Sequence, residues 1–212
     1  MKRNKRNNMD EFFTLPEENN TMVTQLLKEL LKERVLIIND VVDSDLLEEI
    51  TLQIIKINKM DKDIPKGKRS PIWIFIQSPG GSVMAGLNLI DVIESSETPI
   101  YTLCFSNCSS MAFHIFISGH KRFAFKNSIL LNHDGEVSLS NSGAKAKDTM
   151  AFFNSLDERI KNHVISKTNI TSEFYDSIYD KEYYMYANEE GKELGCVDYI
   201  IGEDVTINDI FK

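Results

Sequence analysis

Residues 100–119 constrain this chain more than any other stretch. They open as an apolar strand (100–105), break into five small or polar residues (106–110), and resume at Met111 as an apolar run that Gly119 can close as a helix C-cap. A strand, a tight turn and a buried helix in immediate succession need packing partners on all sides. The same order puts Ser110 at a helix N-terminus, where unpaired N–H groups and the helix dipole favour negative charge. A serine in that position either caps the helix or serves as a nucleophile beside an oxyanion site.

The flanking segments say what the stretch packs against. Residues 35–38 and 71–77 are near-continuous apolar runs, of the kind that parallel sheets covered on both faces require. Between and after them, apolar residues recur at helical spacing in 21–33, in 43–58 behind Asp43 as a cap, in 83–97 and in 144–167. Short strands are expected at 122–125, 128–132 and 197–201, and short helices at 172–178 and 188–194. Strands alternating with helices predict an α/β fold with right-handed crossovers, and no internal sequence repeat is visible. The 212 residues make one domain the simplest division: a polar, basic arm over 1–20, with a small apolar patch at Phe12, Phe13 and Leu15, then a folded domain over 21–212.

Composition narrows the function classes. A net charge of -8 speaks against nucleic acid as the main partner. No apolar run approaches the roughly 20 residues that cross a bilayer, and no apolar segment follows the basic start as in a secretory signal. Cys104, Cys108 and Cys196 form no C-x-x-C pair, which argues for a reducing, cytoplasmic setting and against a disulfide framework or a structural zinc. No metal or other cofactor is expected.

Two further motifs bear chemistry. In Ser78-Pro79-Gly80-Gly81-Ser82, two glycines between a buried strand and a helix let the backbone approach a ligand, with N–H groups free to face a carbonyl oxygen. The motif lacks the spacing of a phosphate-binding loop. Of the four histidines, His114 and His163 fall within helices and His120 in a polar turn. Only His133 ends an apolar strand beside a loop, where an imidazole is held by the scaffold and still reaches a cleft.

Taken in order, Ser-Pro-Gly-Gly-Ser-x-x-Ala-Gly at 78–86, Ser-Ser-Met-Ala at 109–112 before an apolar helix, and Arg-Phe-Ala-x-x-Asn-Ser leading to Asn132-His133 resemble the proteolytic subunit of the Clp protease. Residues 30–38 and the Glu-Leu-Gly-Cys-Val-Asp-Tyr-Ile ending at 193–200 look like the same family, so the resemblance spans about 26–202. It implies a ClpP/crotonase-like spiral of repeated β-β-α units with a protruding long helix. It also implies a serine endopeptidase whose nucleophile falls on Ser110, whose general base falls on His133, and whose oxyanion hole falls on the N–H groups of Gly81 and Met111. Ser109 falls where the family usually has alanine.

The third member of the triad departs from the family, which has aspartate there. An ungapped count from His133 reaches Glu182; one backward from Gly195 reaches Tyr183, which implies one inserted residue in the last helix. The Glu182 register also matches Tyr184, Met185 and Ala187, and Asp180 is the reserve candidate. Serine–histidine–glutamate sets occur in other hydrolases. For partners, the resemblance implies a homo-oligomer of seven-membered rings, stacked as a tetradecamer through the 144–167 helix. It also implies unfolded protein substrates and a separate ring-shaped ATPase, since this chain has no P-loop. Two alternatives are a crotonase-type acyl-CoA enzyme and a non-catalytic subunit assembling with an active homologue.

Overall fold

The computed structural model describes residues 21–136 and 142–210. The expected arm over 1–20, with its Phe12, Phe13 and Leu15 patch, lies outside the described residues, as do residues 137–141.

The elements run α1 (Met22–Lys32), β1 (Val35–Ile38), α2 (Leu52–Met60), β2 (Ile72–Ser78), α3 (Val83–Ser95), β3 (Ile100–Ser109), α4 (Met111–Ile117), β4 (Lys121–Phe125), β5 (Ile129–Asn132), α5 (Gly143–Lys167), α6 (Ser172–Ile178), β6 (Tyr183–Tyr186), α7 (Glu190–Glu193) and β7 (Tyr199–Ile201). The first five strands in spatial order, β1-β2-β3-β4-β7, are parallel throughout. This is the α/β architecture with a parallel-strand sheet and a long helix that the apolar runs and the resemblance both led us to expect.

Side-chain alternation along β2 divides the interior in two. Ile72, Ile74 and Ile76 pack with Ile54, Ile57, Leu89, Ile93, Phe113 and Phe116 beneath α2, α3 and α4. Trp73 and Phe75 point the other way, into a second cluster with Val35, Leu103, Phe123 and Ile201. Aromatic rings carry much of that face: Trp73 meets Tyr101 edge-on at 5.3 Å and Phe123 stacks on Tyr199 at 4.9 Å.

Strand β3 positions the site, because its register changes part-way. Residues Ile100 to Cys104 pair with β2 from Ile72 to Ile76, but Cys108 then pairs with Ser78, so β3 gains two residues over its neighbour. On its other edge β3 changes partner, from β4 at residues 101–104 to β5 at 107–109. What reads in sequence as a break over 106–110 is therefore strand up to Ser109, bulged and re-partnered.

Three local expectations are corrected. Gly119 does not cap α4 through a left-handed backbone; Ser118 is the cap and is right-handed. Glycine is needed there for space, since a Cβ would lie 2.4 Å from Thr102 Oγ1. Asp43 does not cap a helix: its Oδ1 accepts from the Asp45 N–H at 2.9 Å, and a π-helical turn (Leu47–Thr51) precedes α2. The last helix is shortened to the four residues of α7.

Helix α5 is tied down near its C-terminal end. Arg122 donates from Nη1 to the Lys167 carbonyl at 2.6 Å and from Nε and Nη2 to Asp198 at 3.0 and 2.6 Å. His163 Nε2 lies 3.1 Å from both Ser118 Oγ and the His114 carbonyl oxygen. Only Leu156 and Val164 of its 25 residues are buried, and Met150 and Phe152 stand exposed in its N-terminal half. Among the described residues no helix is long and apolar enough to cross a membrane.

Candidate active site

Ser110 sits at the junction of β3 and α4 with φ 54° and ψ −127°, one of two described non-glycine residues at positive φ. Its N–H donates to the Leu131 carbonyl at 2.9 Å, and its carbonyl accepts from Phe113 at 2.9 Å and, more weakly, from His114 at 3.4 Å. The backbone is thus held on both sides, which a sparsely populated conformation requires. Ser110 Oγ makes no hydrogen bond among the described residues, so the side chain does not cap α4.

The glycine loop lies directly against this junction. A Cβ on Gly80 would fall 2.6 Å from Ser110 Cβ and 2.9 Å from Met111 N, and Gly80 holds φ +94°. Asn107 Nδ2 donates to the Ser78 carbonyl at 3.0 Å, and Ser78 Oγ accepts from the Gly80 N–H at 3.1 Å, which fixes loop to strand. Gly81 is bridged to Val42, but the bridge uses the Gly80 carbonyl and the Ser82 N–H, at 2.8 and 2.6 Å. The N–H of Gly81 itself takes no part in it. Met111 opens α4, so no helical carbonyl reaches its N–H either. The glycine loop thus lies against Ser110 and the Met111 N–H through Gly80.

His133 follows β5, and Glu182 precedes β6. These strands pair antiparallel, Ile129 with Tyr186 through Asn132 with Tyr183, so the next position along the ladder sets His133 opposite Glu182. The contact is made: His133 Nδ1 lies 2.8 Å from Glu182 Oε1. Asp180 makes no hydrogen bond or ion pair with the imidazole. The strand 183–186 was not anticipated from sequence, although Tyr-Tyr-Met-Tyr is rich in strand-favouring aromatics. Ser110 and His133 line one narrow cleft of about 30 Å³, together with Met111, His114 and Asp157. No hydrogen bond joins the hydroxyl to the imidazole in this free form; such bonds often tighten only with substrate.

The other histidines separate by role. His120 Nδ1 accepts from the Ile100 N–H at 2.8 Å, a structural link between the starts of β3 and β4. His114 is buried, and burial first, with His163 and His133 as lesser causes, pushes it down to about 3.

A family model described as Clp protease matches residues 17–204. The chain belongs to the Clp protease family. Over 190 residues it is 27% identical to the ATP-dependent Clp protease proteolytic subunit of Cyanophora paradoxa, an alignment that covers 87% of this chain and 92% of that relative. The family is one of proteolytic subunits, so peptide-bond hydrolysis is the chemistry against which the Clp protease cleft is to be judged. Sequence reasoning named Ser110, His133, Glu182, Gly81 and Met111. It singled out Gly80 as one of the two loop glycines but not its closeness to Ser110, which shows only in three dimensions, and it missed Asn107, which looked like an ordinary turn residue.

Proposed function

We propose that this protein is a serine endopeptidase in which Ser110 is the nucleophile, His133 the general base and Glu182 the residue that orients the imidazole. The observation that carries this reading is the 2.8 Å pair between His133 Nδ1 and Glu182, set beside a serine held at positive φ. With Nδ1–H donating to the carboxylate, Nε2 is left as the lone-pair nitrogen. Ser110 Oγ attacks the peptide carbonyl carbon as its proton passes to His133 Nε2. The N–H groups of Gly81 and Met111 stabilise the oxyanion, each worth about 2.7–4 kcal/mol in the transition state. The C–N bond breaks as Nε2 returns the proton to the amine, and water then attacks the acyl ester by the same route.

Family membership supports assembly into homo-oligomeric rings, seven-membered and stacked through α5, that enclose the cleavage sites. It equally supports a separate ring-shaped ATPase that delivers unfolded chains, in a cytoplasmic setting. The exposed Met150 and Phe152 on α5 agree with burial against a second copy.

A fluorophosphonate probe and a short fluorogenic peptide test the chemistry. Wild-type protein is expected to label at Ser110 and turn over the peptide, and Ser110→Ala to lose both with its circular dichroism unchanged. Turnover that appears only on mixing with a second subunit would instead identify a non-catalytic partner. An assembled but unlabelled protein would count against the nucleophile altogether.

A further inference from the structure

The cleft beside Ser110 has a floor that peptide-bond chemistry does not use. Its narrow part, about 30 Å³, admits roughly one water. It shares Asp157, Tyr175 and Tyr179 with a roomier cavity of about 360 Å³. Asp157 accepts a hydrogen bond from Tyr179 Oη at 3.0 Å, and no cation pairs with it among the described residues. Its neighbour Asp176 differs, being held by Lys161 Nζ at 2.6 Å.

The lining of the two cavities is acidic. Asp134, Asp157, Glu158 and Asp176 contribute carboxylates, and Lys161 is the one lysine or arginine that lines them. The hydroxyls register this field. Tyr179 is pushed up to about 12 by burial and then by Asp157, with Asp134 and Glu158 adding to it. Tyr175 is pushed up to about 12 by burial first, then by Tyr179 and Asp157. His114, which lines the same narrow cleft, is 4% exposed, and its Nδ1 finds no partner among the described residues. Being uncharged there, it adds a polar atom without repelling a cation.

Resting on the reading of Ser110 as nucleophile, we infer that this floor receives the side chain on the acyl side of the scissile bond and selects lysine or arginine. A narrow throat passes an unbranched methylene stem but not an aromatic ring. On the wall shared with the roomier cavity, the Asp157 carboxylate, bonded by Tyr179 but by no cation among the described residues, meets an ammonium or guanidinium. An apolar side chain would have to desolvate Asp157 and the two tyrosine hydroxyls without replacing their lost partners.

The test uses the full chain and four fluorogenic peptides identical except for Arg, Lys, Leu or Phe at that position, with fluorophosphonate labelling on the same sample. We expect kcat/KM for Arg and Lys to exceed that for Leu and Phe by about ten-fold or more. Asp157→Asn should bring the Arg-to-Leu ratio toward one. A labelled wild type that prefers Leu or Phe overturns the specificity while leaving the nucleophile standing. So does a labelled Asp157→Asn protein with an unchanged ratio. If the variant does not fold, the wild-type ratio alone decides. Absence of labelling in the wild type overturns the nucleophile and the specificity together.

Discussion

Ser110 carries its strain in a place where relaxing it would move the side-chain hydroxyl. A non-glycine residue at φ 54° costs about 1–3 kcal/mol, and the paired Leu131 carbonyl and the first turn of α4 hold it there. Gly80 is what allows this junction to be approached from the other side. In Gly80→Ala the new Cβ would meet Ser109 O and Ser110 Cβ at 2.6 Å with φ at +94°, so backbone has to shift. Peptide turnover is expected to fall by about 10²-fold, since roughly 1 Å of displacement at a reacting centre has that effect. Turnover near the wild-type rate would show that the glycine loop does not brace the nucleophile. His114 supplies a second prediction, on stability. Its folded value of about 3 lies below the ordinary 6.5, so between the two the unfolded chain binds the extra proton. The contribution is complete above pH 6.5 and is lost progressively down to about 3, amounting to about 2 kcal/mol by pH 5. Thermal midpoints measured from pH 7 to pH 4 should therefore fall more steeply for wild type than for His114→Leu. Parallel curves would rule out a buried neutral imidazole.

At the scale of elements, the β5–β6 ladder decides which carboxylate meets the imidazole. Its pairing aligns His133 with Glu182, while Asp180 lies two residues earlier in the chain and makes no hydrogen bond or ion pair with the imidazole. Glu182→Gln is expected to lower kcat by about 10²-fold with KM little changed. That loss is smaller than the roughly 10⁴ for a buried triad aspartate, because Glu182 is 58% exposed and water competes for the imidazole. An equal loss in Asp180→Asn, with Glu182→Gln silent, would reassign the role. Much of this scale was legible beforehand. Deep burial leaves little freedom of residue type, so apolar runs located β2 and α3 to within a residue or two of their ends; α5, little buried, was located as closely by its apolar periodicity alone. The failures have local causes. Asp43 binds a nearby N–H rather than a helix terminus, and Gly119 answers to the Thr102 side chain rather than to φ. Strand β6 was missed because its pairing partner lies more than fifty residues away, and sequence periodicity does not report long-range pairing.

For the molecule as a whole, the site stands where β3 changes partner, at the carboxyl ends of β3 and β5, which is where open α/β sheets leave room for ligands. The sheet supplies the rigid part and α5 the part without a counterpart in the monomer. If a second copy covers the exposed end of α5, native protein should scatter light as a particle several times the mass of the chain. Phe152→Asp should reduce that mass without altering the far-UV circular dichroism. An unchanged particle would place the contact elsewhere. Candidate residues were legible in proportion to how local they are: Ser110 and His133 stood out at strand ends and took their roles from the family pattern, Glu182 needed that pattern even to be found, and Asp157 had no signal at all.

The pairing of β5 with β6 also has a consequence in time. A ribosome delivers Ser110 and His133 well before Glu182, so a chain that has emerged only through α6 carries nucleophile and imidazole with nothing to hold the ring in its working tautomer. The enzyme proposed above would work far below its full rate while still attached to the machinery that makes it. Its cutting centre would be fully armed only when one of its last strands closes against β5.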